Sequence, residues 1–292
     1  MQSDADFLGL SGDPEVGRFH FAVRNHLARL DGRLYGGTAI AVSITAAELV
    51  SQRSAVWMTT QFVATAPPDE EISVLAEVLA PGRRTNQVRV TGTNAAGDIM
   101  FASLGATGHH SADAPSEFFE NLPEVAPPDE SGPWVGPIAA IVKRLGLDVE
   151  MPKFPDDVGF AKVLEFREPQ VHQHPDPGPG RLCLWVRRRD GGPITPAIVA
   201  YIADMVPLSI SDALGVIAIG ISLDNSIRIG EFEDTEWVLV DLRPHLAVGD
   251  YGHGTAHVWS EGGRLLATAS QSTAMRRIDL AAAESLSWLP KP

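Results

Sequence analysis

Two stretches of the chain are apolar in a way that only a buried helix explains. "GGTAIAVSITAAELV" (Gly36 to Val50) is rich in Ala and hydrophobic on nearly every face, so it predicts a helix surrounded by protein rather than lying on a surface. "TPAIVAYIADMVP" (Thr195 to Pro207) repeats that character: Thr195 can cap the helix, Pro196 can occupy its first turn and Pro207 can stop it. One carboxylate, Asp204, interrupts this second run with no basic residue close to it in sequence. After each helix the periodicity changes to alternation. Segments such as "NQVRVTGT" and "TAHVWS" are followed by the glycine-containing turns "AAGD" and "EGGR", which is the chemistry of antiparallel hairpins.

The two halves repeat one another at a single shift of 165 residues. It lays Gly97 on Gly262, the pair Met100 and Phe101 on Leu265 and Leu266, "EISVLAEVLAPG" beside "EWVLVDLRPHLAVG", and Phe62 on Ile227, with no gap. Identity is low, but the order of elements is kept, as two copies of one unit would leave it. A buried helix wrapped by an antiparallel sheet, present twice, predicts an α+β double hotdog. Its units are residues 1–112 and 156–292, and the segment 113–155 between them is rich in Pro and acidic residues around "ADAPSEFFENLPEVAPPDESGP", with a short helix possible in "VGPIAAIVKRLGL". That composition suits an extended linker, and an irregular, packed surface excursion is equally compatible with it. Sheet edges of the two units are expected to pair into one continuous sheet.

Composition narrows the functional classes. With 292 residues, 44% of them hydrophobic, the chain can bury a substantial core. Its start has neither a basic n-region nor a long apolar stretch, and no export or membrane insertion is expected. A single cysteine, Cys183, excludes an internal disulfide and fits a reducing compartment, so a cytoplasmic location is expected; in "RLCLWV" it alternates as a buried strand residue. Twenty-three basic against 37 acidic residues leave a net charge of −14, which opposes non-specific attraction to nucleic acid. An anionic ligand would therefore need a local basic patch, for which "APGRRTNQ" offers Arg83 and Arg84, and Arg276 with Arg277 offer a second pair. His253 and His257 lie in a turn-and-strand segment without a third metal ligand, and His172 and His174 fall in a Pro-rich loop. "GVIAIGIS" lacks the lysine of a phosphate loop, and no GxSxG nucleophile elbow occurs.

From Phe154 to Arg277 the succession "LEFREP", "RLCLWVRRRDG", "AYIADMVPL", "ISLDNSI", "EWVLVD" and "GRLLATASQSTAMR" resembles the C-terminal half of the type II acyl-CoA thioesterases. The first half agrees more loosely, through "LYGGTAIAVSITAAE" and "APGRRTNQVRVTGT". The resemblance implies a double-hotdog hydrolase of fatty acyl-CoA in which three polar side chains hold the attacking water. It places those roles on Asp204, Ser222 and Gln271, needs no cofactor or metal, and implies a homodimer. Where relatives commonly have His after the Leu-Asp pair, this chain has Asn225, with Arg228 and Gly230 further on, so substrate preference is expected to differ. Ser222 stands for the more frequent Thr and keeps the hydroxyl.

Physical reasoning supports the same trio. A buried carboxylate is costly unless donors surround it or it borders a cleft. Gln271 interrupts the apolar alternation of its strand, and Ser222 lies on the first strand after the helix, so both can face Asp204. Two other readings stand beside hydrolysis. A non-catalytic acyl-CoA or lipid-binding module would bind without releasing thiol. An enoyl-CoA hydratase would need a histidine soon after the Asp, and the next one is His245.

Overall fold

The computed structural model describes residues 3–109, 111, 114, 116–136, 156–169, 180–215 and 218–277. His172, His174 and residues 137–147 of the possible linker helix lie outside them. The N-terminal unit runs α1 (Asp4–Leu8), β1 (Ser11–Asp13), β2 (Arg18–Ala22), α2 (Gly36–Ser51), β3 (Ser54–Phe62), β4 (Glu71–Ala80), β5 (Thr85–Thr93) and β6 (Ile99–Gly108). After β7 (Gly132–Pro133) the C-terminal unit runs β8 (Leu164–Glu168), β9 (Leu182–Arg188), α3 (Pro196–Ile202), α4 (Val206–Leu214), β10 (Ala218–Ser222), β11 (Asp224–Ile229), β12 (Val238–Val248), β13 (Tyr251–Ser260) and β14 (Leu265–Arg277).

Among the described residues all strands belong to one 14-stranded sheet, in the order β1-β2-β4-β5-β6-β3-β11-β14-β13-β12-β9-β8-β7, with β10 paired to β14. The seam is β3 against β11, antiparallel from Asp224 opposite Gln61 to Arg228 opposite Trp57. This pairing joins the two units and leaves neither inner edge open. Helix α2 is buried from Gly37 to Ala47 and packs on the strands of its own unit and on α3, so the two central helices meet inside the concave face of the sheet.

The repeat survives in three dimensions, with two adjustments. The turn glycine equivalent to Gly97 is Gly263, not Gly262: both have φ near +90° (+89° and +85°), and each amide closes on the residue three back, Asn94 or Ser260. Only the residue in the left-handed region can be the counterpart, because that backbone conformation is what requires glycine. The second adjustment concerns Pro207. It ends one helix but begins another, since its ring has no N–H and clashes with the carbonyl four residues back, at Ala203. The apolar run from Pro196 to Leu214 is thereby broken at residues 203–205, and Asp204 lies in the break rather than on a helix. By length and composition that run could cross a membrane, but 72% of it is buried inside the protein, as a core element is.

The outer face of the C-terminal sheet carries a second, smaller core of Cys183, Trp185, Trp237, Leu239 and Trp259. Residues 116–131 lie across it as a packed strap. Leu122 and Val125 cover the tryptophans, the Trp185 indole donates to the Ala126 carbonyl at 2.8 Å, and Ser116 donates to Glu231 at 2.6 Å. This part of the connecting segment is packed rather than extended.

Candidate active site

Asp204, Ser222 and Gln271 converge, although 67 residues separate the first from the last. The break between α3 and α4 turns Asp204 inward, where it is 6% exposed. Gln271 projects from β14 and is fully buried; Ser222 ends β10 at the rim, next to the exposed Ile221 and Leu223. Both donors of the Gln271 amide are committed. Its nitrogen donates to Asp204 Oδ1 and, at 2.7 Å, to Ser222 Oγ, while its oxygen accepts the Val206 N–H at 3.2 Å. Gln271 therefore positions the other two rather than holding a spare donor for substrate. Ser222 accepts from Gln271 and keeps its own proton for a further partner.

The second half of the site comes from the other unit. Gly36 and Gly37 open α2 with no side-chain cap, and the Gly37 N–H donates to the Asp204 carboxylate. The free N–H groups and positive dipole end of α2 thus face a carboxylate of the C-terminal unit. Glycine is needed at 36 because a Cβ would collide with Asp204 Oδ2 and the Phe62 ring. Tyr35 donates its hydroxyl to the Asp204 backbone carbonyl at 3.1 Å, fixing the break itself. Burial, reinforced by the nearby Asp204 and Tyr201, pushes the Tyr35 phenol well above its usual range.

Burial raises the Asp204 pKa from the ordinary carboxylate range to about 7, even though Asn225, Gln271 and Gly37 donate to it and Arg29 lies within reach of its charge. A carboxylate so placed is ionised to a useful extent near neutrality and still basic enough to take a proton.

Asn225 is the residue that sequence reasoning missed in this role. It is fully buried on β11 and donates Nδ2 to Asp204 Oδ1 at 3.4 Å. Its signal was the departure from the family's His, which pointed to specificity rather than to the carboxylate. Tyr35, Gly36 and Gly37 also escaped; their signal was a double glycine opening an apolar helix.

Arg83 and Arg84 do not join this cluster. They are exposed at the β4–β5 turn, where Arg53, just beyond the C-terminal end of α2, bonds the Gly82 carbonyl. The 16 residues of α2 put that end roughly 24 Å from Gly36. Arg276 instead borders a cavity of about 560 Å³ with Leu214, Ala218, Asp250 and Met275, at the far end of β10 from Ser222. His253 bonds Ser270 and stacks edge-on against His245, and among the described residues no three His, Cys, Asp or Glu side chains gather as metal ligands.

Residues 27–106 match the profile of the acyl-CoA thioesterase N-terminal domain, and residues 142–275 that of the acyl-CoA thioesterase C-terminal domain. The chain belongs to the acyl-CoA thioesterase family. Among solved structures this thioesterase-family chain is 30% identical to a protein from Novosphingobium aromaticivorans provisionally assigned as a thioesterase. That match covers 91% of this chain and 98% of the other, with a TM-score of 0.78. Acyl-CoA thioesterase II TesB2 from Mycobacterium marinum is 19% identical over 95% of this chain and 99% of its own, with a TM-score of 0.71. A hotdog-fold protein from Alicyclobacillus acidocaldarius is 18% identical over 96% and 100%, with a TM-score of 0.77. The last two establish the double-hotdog fold. No curated protein matches the chain.

Proposed function

We propose that the protein hydrolyses fatty acyl-CoA to the free fatty acid and coenzyme A, using a water held by Asp204 and Ser222, both of which Gln271 positions. The observation that carries this reading is the buried Asp204 carboxylate, basic to about pH 7 and tied through Gln271 to a hydroxyl at the rim. Asp204 takes one proton from the water as its oxygen adds to the thioester carbonyl carbon. The tetrahedral adduct then expels the sulfur, and the proton on Asp204 passes to the leaving thiolate, so the carboxylate is regenerated and no covalent enzyme intermediate forms. The uncommitted Ser222 hydroxyl supplies a hydrogen bond to the water or to the developing oxyanion. A thioester is an activated acyl group, so holding one water in line is chemically sufficient. We further propose a cytoplasmic homodimer of the double hotdog.

Purified protein presented with acyl-CoAs of several chain lengths, and read by thiol release, tests the proposal. Cys183 will not disturb that readout, because burial and the adjacent Asp241 push its thiol up to about 12. Saturable thiol release is expected on at least one chain length. Saturable binding without release on any of them would replace the hydrolase with a binding module.

A further inference from the structure

Asn225 holds a buried acceptor that no described residue satisfies. Its side chain is fully buried, Nδ2 faces Asp204 Oδ1 at 3.4 Å, and Oδ1 has no hydrogen-bond partner among the described residues. Buried carbonyl oxygens are rarely left this way, and such an orphan beside a candidate base calls for a ligand. The rest of the site shows which ligand. An attacking water uses one lone pair on the carbonyl carbon and must place two protons. Asp204 accepts one. The Gln271 oxygen already accepts the Val206 N–H and Ser222 Oγ the Gln271 amide, so each has one of its two acceptor directions in use. Asn225 Oδ1 is the uncommitted acceptor within the same cluster.

We infer that Asn225 is a fourth catalytic residue, donating Nδ2 to the Asp204 carboxylate while its Oδ1 accepts the second proton of the attacking water. The inference rests on the hydrolase reading. In the step, the water's first proton moves to Asp204 and the C–O bond forms; the second proton stays on the incoming oxygen, hydrogen-bonded to Asn225. An amide suits this task because it presents one donor and one acceptor at every pH. Position 225 lies on β11 beside the pairing of Ser226 with Ser270, which brings it next to Gln271 on the neighbouring strand. The strand register therefore sets Asn225 and Gln271 side by side against Asp204.

The test uses the full chain with Asn225→Leu, which keeps the volume and loses both hydrogen-bonding groups, and Asn225→Asp, which keeps an acceptor and loses the donor. With a fatty acyl-CoA as substrate, Asn225→Leu is expected to lower kcat by roughly 10- to 100-fold, with KM changed far less. In both variants the acid limb of the kcat profile should move to higher pH, because Asp204 has lost a donor that favours its ionised form. Asn225→Asp should retain more turnover than Asn225→Leu above that limb. Wild-type kcat and an unmoved acid limb in a cooperatively melting Asn225→Leu would overturn the inference, as would equal losses in the two variants with the limb unmoved. If Asn225→Leu does not fold, the limb of Asn225→Asp decides alone. Asp204→Asn separates the two levels: an active Asp204→Asn removes the base itself, whereas an inactive one beside normal Asn225 variants removes only the role of Asn225.

Discussion

Thr60 and Asn225 face each other across the β3–β11 seam, and the 165-residue shift that relates the two repeats carries one onto the other. They stand at the centre of the pseudo-symmetry, so what surrounds each shows how the two units have diverged. Thr60 bonds Ser103 at 2.8 Å, and Ser103 bonds Ser43 of α2 at 2.8 Å, in a chain of buried hydroxyls. Around Asn225 the corresponding elements supply Gln271 from the last strand and Asp204 from the helical break. One unit closes its polar centre with neutral hydroxyls; the other holds a carboxylate near its proton-transfer range. The N-terminal unit contributes the start of α2 to the site and carries no carboxylate in its own polar centre.

That contribution is testable at Gly36. A Cβ there would strike Asp204 Oδ2 and the Phe62 ring, neither of which is free to retreat: the carboxylate is held by three donors and Phe62 packs on the main core. Gly36→Ala should therefore lower kcat at least about tenfold while costing only about 1–3 kcal/mol of stability, the usual range for overpacking. Thiol-release kinetics set beside a denaturant melt check it, and wild-type kcat would show that the start of α2 does not press on the base.

Most of this architecture was legible in the sequence because hydrophobic period and turn chemistry are local. The hairpin turns at Asn94 and Ser260 and the buried helix at Gly36 could be read from residues a few positions apart, and the double unit from the 165-residue repeat. Asp204, Ser222 and Gln271 came from motif resemblance, and their convergence depends on strand register. What stayed hidden was non-local. The packing of α2 onto α3 brings Gly36 and Gly37 to a carboxylate nearly 170 residues away. Asn225 could be flagged as unusual, but its partner could not be named without the β11–β14 register and the helical break at Asp204.

On the outer face, Asp241 is fully buried between Arg181, which grips both its oxygens at 2.7 and 2.8 Å, and Arg243, which donates at 2.8 Å. Burial alone would raise its pKa, but the hydrogen bonds from Arg181 and the charge of Arg243 outweigh it and hold the carboxylate below its usual range. The stabilisation from such a depressed carboxylate is present above the unfolded-state pKa and is lost as pH falls through the folded one. Asp241→Ala removes the buried carboxylate that two largely buried guanidinium groups share and should cost about 3–5 kcal/mol at neutral pH, read from chemical denaturation. Turnover per folded molecule should be unchanged, since the strapped face is opposite the site.

The nucleotide end of the substrate is anionic, and the protein carries −14 overall, so a local cation must receive it. Arg276 borders a cavity at the end of β10 opposite Ser222, whereas Arg83 and Arg84 stand at the remote end of α2. Charge reversal at Arg276 is expected to raise KM several-fold with kcat held, and reversal at Arg83 with Arg84 to leave kcat untouched and KM within about twofold, in the manner of lost uniform binding. A larger KM rise for the Arg83 and Arg84 pair would assign the nucleotide to the β4–β5 turn instead.

The pH behaviour of Asp204 joins stability to activity with opposite signs. Its pKa is raised by burial to about 7 in the folded protein, against an ordinary value of 3.8. The base must be ionised to take a proton from water, so kcat should fall below about pH 7 with a single ionisation. A raised carboxylate pKa has the reverse effect on folding: the folded state binds the proton more tightly, so the penalty is fully present above pH 7 and is relieved as pH falls toward the unfolded value. Asp204→Asn removes both consequences. Turnover should drop by roughly 10²- to 10⁴-fold, the contribution of a general base. Unfolding free energy should rise at pH 8, where the wild type must bury a charge, and that advantage should shrink by pH 5 as Asp204 becomes protonated in the fold. Gln271→Ala should also slow turnover, and the double variant should lose less than the sum of the two, because both residues serve one water. Urea melts at pH 5 and pH 8 beside thiol-release kinetics decide the matter. An Asp204→Asn variant that turns over normally and melts like the wild type at both pH values would place the catalytic base elsewhere.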